Sequence, residues 1–196
     1  MRKLSALLFA LVLVCSTFTA AQTAAATAAP ATDNTPKVGD PAPTFKLESN
    51  EGSAVSLSDY KGKWVVLYFY PKDMTSGCTI EAHNFQRDLE KYSKINATIL
   101  GVSVDSVGSH KEFCAKESLT FKLLADVDKK IVTAYGSSMT YKDNVYAARN
   151  TFIISPDGKI AKVFLKVNAS THSDEVLAAL AELQAAYKPP AMPKKK

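Results

Sequence analysis

The residue types that could do chemistry are gathered in one short stretch: Pro71, Thr75, Gly77, Cys78 and Glu81. Cys78 is the nucleophile of the set, and a cysteine attacks as its thiolate. It follows an apolar run at 64–70 that stops at Pro71, and an amphipathic pattern begins with it. A strand-to-helix junction is where open α/β sheets place their ligands. A helix N-terminus also favours a thiolate over a thiol, and it offers unpaired backbone N–H groups. Gly77 lets the backbone come close to a ligand. Thr75, three residues before Cys78, can set a hydroxyl beside the sulfur. A guanidinium could stabilise the thiolate from another strand. Arg2 lies in a leader and Arg87 nine residues along the Cys78 pattern, which leaves Arg149, just ahead of the apolar run 151–154. These residues describe a reactive cysteine and leave open what it reacts with.

The elements that must position them follow from periodicity. Residues 64–70 are continuously apolar, as in a central strand covered on both faces. From about 78 to 92, Ala82, Phe85, Leu89 and Tyr92 form one helical stripe. Cys78, four residues before Ala82, starts on the core side of that stripe and half sheltered. Phe45 and Leu47 alternate with polar residues as in a short strand, and 55–59 reads as another edge segment. Residues 98–104 form a second buried strand. Ser109 and Glu112 have the spacing of a capping box for a helix to about 117. Residues 123–125 form a short strand, and Asp128 caps a helix ending at Gly136. The stretch 137–144 is polar and turn-rich. A strand at 151–154 turns at Pro156-Asp157-Gly158-Lys159 and returns over 160–167. Ser173 caps a last helix carrying Val176, Leu177, Leu180, Leu183 and Tyr187. Periodicity alone supports an α/β fold with a hairpin.

Composition sets the outer bounds. The 196 residues are 46% hydrophobic and 22% charged, ordinary for one globular domain with extensions. The formal charge of +5 is carried by Arg2, Lys3 and the terminal Lys194-Lys195-Lys196, so the body is neutral. With no basic patch interleaved with aromatics, nucleic-acid binding is not expected. Residues 1–21 read as a secretory signal: a basic start, an apolar run over 4–14 too short to span a membrane, and small residues up to Ala21. The competing reading is lipoprotein processing at Cys15, where Val14 stands in place of the small residue wanted. Residues 22–36 form an Ala/Thr-rich linker, 37–188 the folded domain and 189–196 a basic tail. The expected location is outside the cytoplasm, in a bacterial periplasm, without stable membrane insertion after processing. Loss of the leader leaves Cys78 and Cys114, 36 residues apart. In an exported chain two such cysteines could simply form a structural disulfide.

The sequence resembles the peroxiredoxins. Pro71-x-x-x-Thr75-x-x-Cys78 is similar to their active-site signature, and Tyr70-Pro71-Lys72-Asp73 and Gly77-Cys78-Thr79-x-Glu81-Ala82 look like the Q, or bacterioferritin comigratory protein, subfamily. The likeness extends to Val38-Gly39-Asp40-Pro41-Ala42-Pro43-x-Phe45, to 57–63, to Ser103-Val104-Asp105-Ser106, to Leu123-Leu124-Ala125-Asp126 and to Arg149-Asn150-Thr151-Phe152-Ile153-Ile154. It implies a thioredoxin-like fold, a central mixed sheet flanked by helices, with extra N-terminal strands. It also implies cysteine-dependent reduction of hydroperoxides without metal or cofactor. Cys78 would be the peroxidatic cysteine and pass to a sulfenic acid. Thr75, Arg149 and loop N–H groups would bind the separating oxygens, an electrostatic role like that of an oxyanion hole. Pro71 would shield the thiolate. Glu81 would brace the site by hydrogen bonding, or be no more than a solvated acid at the helix start.

One position departs from the pattern. Many members of the subfamily carry the resolving cysteine five residues after the first, where this chain has His83. Five residues along a helix point away from the Cys78 side, so His83 reads as a surface histidine, and His110 and His172, near helix starts, read the same way. Another group within the subfamily resolves from the following helix, which would make Cys114 the resolving cysteine and a thioredoxin-like dithiol the reductant. The alternative is a small buried hydrophobe beside Phe113. Relatives with an intramolecular disulfide are often monomers, the state expected here. A thioredoxin-type oxidoreductase would need Cys-x-x-Cys, which is absent, since Glu81 stands three residues after Cys78. A non-catalytic protein on the same fold remains the reading from a different class.

Overall fold

The structure, a computed structural model, describes residues 34–189. The proposed leader, most of the linker and all but the first residue of the basic tail lie outside the described residues. Seven strands form one mixed sheet. Its centre is β3 (Trp64–Phe69), paired in parallel with β4 (Ala97–Ser103) on one side and antiparallel with β8 (Thr151–Ile154) on the other. Beyond β4 come β5 (Lys122–Ala125), parallel, and then β1 (Lys46–Ser49) and β2 (Ala54–Ser56), each antiparallel to its neighbour. Beyond β8, β9 (Ile160–Phe164) closes the other edge. This is the thioredoxin-like sheet with added N-terminal strands.

Successive side chains of a strand point to opposite faces, and β3 divides its core accordingly. Trp64, Val66, Tyr68 and Tyr70 pack with Ala82, Phe85 and Tyr92 of α1 (Ser76–Lys94), Phe113 of α2 (Val107–Glu117), and Val176 and Leu180 of α4 (His172–Ala186). Val65, Leu67 and Phe69 pack on the other face with Phe45, Val132 and Tyr135, the last two in and just after α3 (Lys130–Ala134). The stripe Ala82, Phe85, Leu89 and Tyr92 therefore faces the sheet as its spacing predicts, and burial of each large side chain is worth roughly 1.5–3 kcal/mol. Both cysteines belong to the first cluster. The ring of Tyr68 needs room in the neighbouring strand, which Gly101 provides: a Cβ there would lie 2.8 Å from ring atoms of Tyr68.

Several local expectations shift. The polar stretch 137–144 is no plain loop. It holds β6 (Ser138–Tyr141) and starts β7 (Asn144–Ala147), an antiparallel hairpin outside the main sheet. Its two turn residues, Lys142 and Asp143, both have positive φ, 46° and 64°, as tight two-residue hairpin turns require. Segment 55–59 is β2 followed by a 3-10 turn at Leu57–Tyr60. The cap of α2 is Ser106, not Ser109: its Oγ accepts the Ser109 N–H at 3.2 Å. Asp128 does not cap α3. Asp126 does, its carboxylate accepting the N–H groups of Lys130, Ile131 and Val132 at 2.8–3.1 Å. At α4 the N-cap position is Thr171, and Ser173 is buried and donates to Asp88 at 2.8 Å.

Candidate active site

β3 ends because Pro71 has no N–H to continue the ladder; the last pairing is Tyr70 N–H to the Val102 carbonyl at 3.1 Å. The chain crosses the C-terminal end of the sheet through Lys72, Asp73 and Met74 and enters α1 after Thr75. Thr75 occupies the N-cap position, but its hydroxyl donates to the Lys72 carbonyl at 2.9 Å and caps nothing. It shapes the loop from within. The first-turn N–H groups, which no intrahelical carbonyl can serve, are left for a ligand oxygen. Cys78 is the third residue of α1, and at 2% exposed it is more deeply sheltered than its position in the stripe suggests.

Arg149 comes from the far side of the sheet's centre, on the link between β7 and β8. Its Nη2 donates to the Cys78 Sγ at 3.3 Å, and its Nη1 donates to the Glu81 Oε2 in a close ion pair. Gly77 explains how the guanidinium fits: a Cβ at that residue would stand 3.3 Å from Nη2. The backbone approach that Gly77 permits is thus filled by the arginine of the site itself. The Arg149 backbone is pinned in turn. Its carbonyl accepts from the Val167 N–H at 3.0 Å, and the Asn150 side chain next to it binds the Lys166 N–H at 3.0 Å and the Ser137 hydroxyl at 3.1 Å. Asn150 is a supporting residue that sequence reasoning passed over inside a quoted motif.

Glu81 is no solvated acid. It is fully buried, and burial pushes its carboxyl up to about 7 although the Arg149 charge and hydrogen bond pull it down. Among the described residues its Oε1 has no hydrogen-bond partner. Arg149 itself is held above its ordinary value: burial opposes the charge, but Glu81 and Cys78 outweigh it.

Cys114 lies in α2 on the same side of the sheet, 7% exposed, and neither it nor Cys78 is in a disulfide. Burial, aided by the negative charges of Asp73 and Glu51, pushes its thiol up to about 11. Between the two cysteines in the electrostatics of the core is Tyr68. Its buried hydroxyl, without a hydrogen-bond partner among the described residues, is held far above its usual value, by burial first and then by Glu81, Cys78 and Cys114.

The histidines divide. His83 is half-exposed and pairs with Glu117 at 3.0 Å, a surface residue as expected. His110 and His172 are fully buried, against the surface reading. His172 Nε2 is 2.8 Å from the Thr151 hydroxyl, and burial lowers it to about 4. His110 Nδ1 is 2.8 Å from the Asp73 carboxylate, which also accepts from Ser109 at 2.7 Å and Tyr70 at 2.7 Å. Proximity to a helix start says nothing about which side of that helix a residue occupies, and here both lie inward. Among the described residues, no group of three or more His, Cys, Asp or Glu is placed to hold a metal ion, and no helix is long and apolar enough to cross a membrane.

A sheltered cysteine at a helix N-terminus beside an arginine, on a thioredoxin-like sheet, suits an enzyme that uses a cysteine nucleophile. Residues 38–163 match the model of the AhpC/TSA family. The chain is 44% identical over 148 residues to the putative peroxiredoxin Bcp of Helicobacter pylori, covering 74% of this chain and 97% of that one. It is 40% identical over 151 residues to the peroxiredoxin Bcp of Bacillus subtilis, covering 75% and 96%. The crystal structure of a cysteine-to-serine mutant of Xylella fastidiosa PrxQ superposes with a TM-score of 0.71 at 36% identity, covering 77% of this chain and 97% of the other. The chain belongs to the AhpC/TSA family, in its peroxiredoxin Q/Bcp group, and is a peroxiredoxin-type thiol peroxidase.

Proposed function

We propose that the chain reduces hydrogen peroxide and organic hydroperoxides in two steps centred on Cys78. The Cys78 thiolate attacks one peroxide oxygen, the O–O bond breaks, and the departing oxygen takes a proton to leave as water or alcohol. Cys78 then carries a sulfenic acid. The Arg149 guanidinium and the first-turn N–H groups of α1 stabilise the charge that builds on the separating oxygens, and Pro71 and Thr75 shape the loop over them. In the second step the Cys114 thiol displaces hydroxide from the sulfenic acid. The S–S bond forms, and the thiol proton leaves with the hydroxide as water. A thioredoxin-like dithiol then reduces the disulfide and is itself oxidised. The observation that carries this reading is the Arg149 Nη2 donor 3.3 Å from the Cys78 sulfur. The leader at 1–21 suits action outside the cytoplasm, and a disulfide within one chain suits a monomer.

The test is peroxide consumption with dithiothreitol as reductant, for wild type, Cys78→Ser and Cys114→Ser. Cys78→Ser is expected to fall to the uncatalysed rate; equal rates would remove the enzymatic role of Cys78. Peroxide-treated wild type is expected to yield a Cys78–Cys114 linked peptide under non-reducing mass spectrometry, and Cys114→Ser to over-oxidise at Cys78. Without the linked peptide, the chain works as a one-cysteine peroxidase and Cys114 only packs.

A further inference from the structure

The most developed polar cluster outside the peroxide site joins the active-site loop to α2. Asp73, 3% exposed, accepts from Tyr70 Oη at 2.7 Å, Ser109 Oγ at 2.7 Å and His110 Nδ1 at 2.8 Å. A carboxylate accepting three bonds fixes Nδ1 as the donor of the His110 ring. That ring is fully buried, its Nε2 has no partner, and its other polar neighbour among the described residues is the Tyr70 hydroxyl at 3.3 Å. The polar attachments of the His110 ring therefore all run to the segment around the peroxide loop. A second tie runs parallel: the Asp73 N–H donates to Asp105 Oδ2 at 3.0 Å, just ahead of α2, and Asp105 is steadied by Ser103 at 2.6 Å. His110 stands one helical turn before Cys114. The two cysteines are buried, free and carried by different helices, so forming an S–S bond of about 2 Å draws on the relative placement of α1 and α2. A shift of α2 pulls on this cluster.

We infer that Asp73 and His110 are positioning residues that clasp the peroxide loop to α2 and thereby set the relative rates of the two steps, holding the loop in shape for attack by Cys78 and resisting the movement that delivers Cys114. The inference rests on the proposed resolving role of Cys114. Removing the clasp changes the steps in opposite directions, whereas a loss of general packing has no reason to do so.

Single-turnover reactions with hydrogen peroxide, quenched with a sulfenic-acid trap and mapped under non-reducing conditions, read the two rates separately. His110→Leu is expected to slow oxidation of Cys78 and speed formation of the Cys78–Cys114 disulfide, each about tenfold, the factor corresponding to one lost charge-assisted hydrogen bond. His110→Asn keeps an N–H donor near the place of Nδ1 and is expected to restore both rates toward wild type. Asp73→Asn, nearly isosteric, must reproduce the opposed shifts if His110→Leu fails to fold. Val132→Ala, buried on the opposite face of the sheet, controls for general loosening and is expected to show no opposed shifts. Rates that move together, do not move, or move alike in Val132→Ala overturn the clasp while wild type forms its disulfide normally. A wild type that forms no linked peptide overturns the Cys114 reading, and the clasp with it.

Discussion

Cys78 and Cys114 share much of their setting in the fold. Both are buried, both are free, and both belong to the apolar cluster on one face of the sheet. What separates them is the charge each one meets. Cys78 sits in the first turn of α1 with a guanidinium 3.3 Å away. Cys114 lies well inside α2, and the charges that reach it are those of Asp73 and Glu51, which oppose ionisation along with burial. Burial alone disfavours a thiolate, so reactivity depends on what else occupies the shelter. On the proposed mechanism, one core holds a thiol that attacks and a thiol that waits.

The comparison breaks most readily at Arg149. Arg149→Gln keeps a planar amide but removes the cation and its fork of donors. Loss of one preorganised donor to a developing oxyanion costs about 10²–10³ in turnover, and a drop of that size in the rate of Cys78 oxidation is expected. Glu81, left buried without its partner, would hold its proton to still higher pH. A variant within threefold of wild type in single-turnover oxidation would mean that Arg149 packs against the sulfur without acting on the peroxide.

Glu81 sharpens the contrast from the side of stability. Its carboxyl titrates at about 7 in the fold, mainly through burial, and near 4.3 in an unfolded chain. Below about pH 4 both states hold the proton and Glu81 costs nothing. As pH rises toward 7 the unfolded chain ionises while the folded one does not, so stability is lost, and the cost stays at its full value above 7. Between pH 5 and 8 this amounts to roughly 2–3 kcal/mol. Glu81→Gln is expected to flatten that part of the pH dependence in urea unfolding measured at the two pH values. Parallel pH dependences in wild type and variant would show that Glu81 ionises like an ordinary surface acid.

Much of this site was legible because its signals are local. The apolar run ending at Pro71 and the 82, 85, 89, 92 stripe put Cys78 at a strand-to-helix junction, and the structure keeps it there. Arg149 was reachable by elimination, since the chain has so few arginines. The clasp was not. Asp73 and His110 are 37 residues apart, and although Asp73 falls in the Tyr70–Asp73 stretch, nothing local ties it to His110. The β6–β7 hairpin was missed because Lys142 and Asp143 take the positive-φ turn that glycine or asparagine usually announces. Ser109 was mistaken for a cap because its spacing to Glu112 fits, while Ser106, three residues earlier, makes the bond. The hydroxyl of Ser109 is taken up by Asp73, a tertiary contact that sequence spacing cannot show.

That cap offers the finest test of the contrast between the two cysteines. Ser106 belongs to α2 and touches neither sulfur. Ser106→Ala leaves the Ser109 N–H without its acceptor and is expected to cost about 1 kcal/mol. The cost falls on the helix that carries Cys114 and not on the one that carries Cys78. In a Cys78→Ser background, alkylation of Cys114 by iodoacetamide should rise about tenfold per pH unit from pH 8 toward 11, because only the thiolate reacts. Ser106→Ala should lift that whole profile about fivefold without changing its slope, the factor that about 1 kcal/mol of easier opening provides. With Cys78 restored, the rate of its oxidation by peroxide should stay at the wild-type value. If the alkylation profile does not move, α2 yields elsewhere than at its first turn. If Cys78 oxidation slows as well, the two thiols are coupled through α2 more tightly than their separate electrostatic surroundings imply.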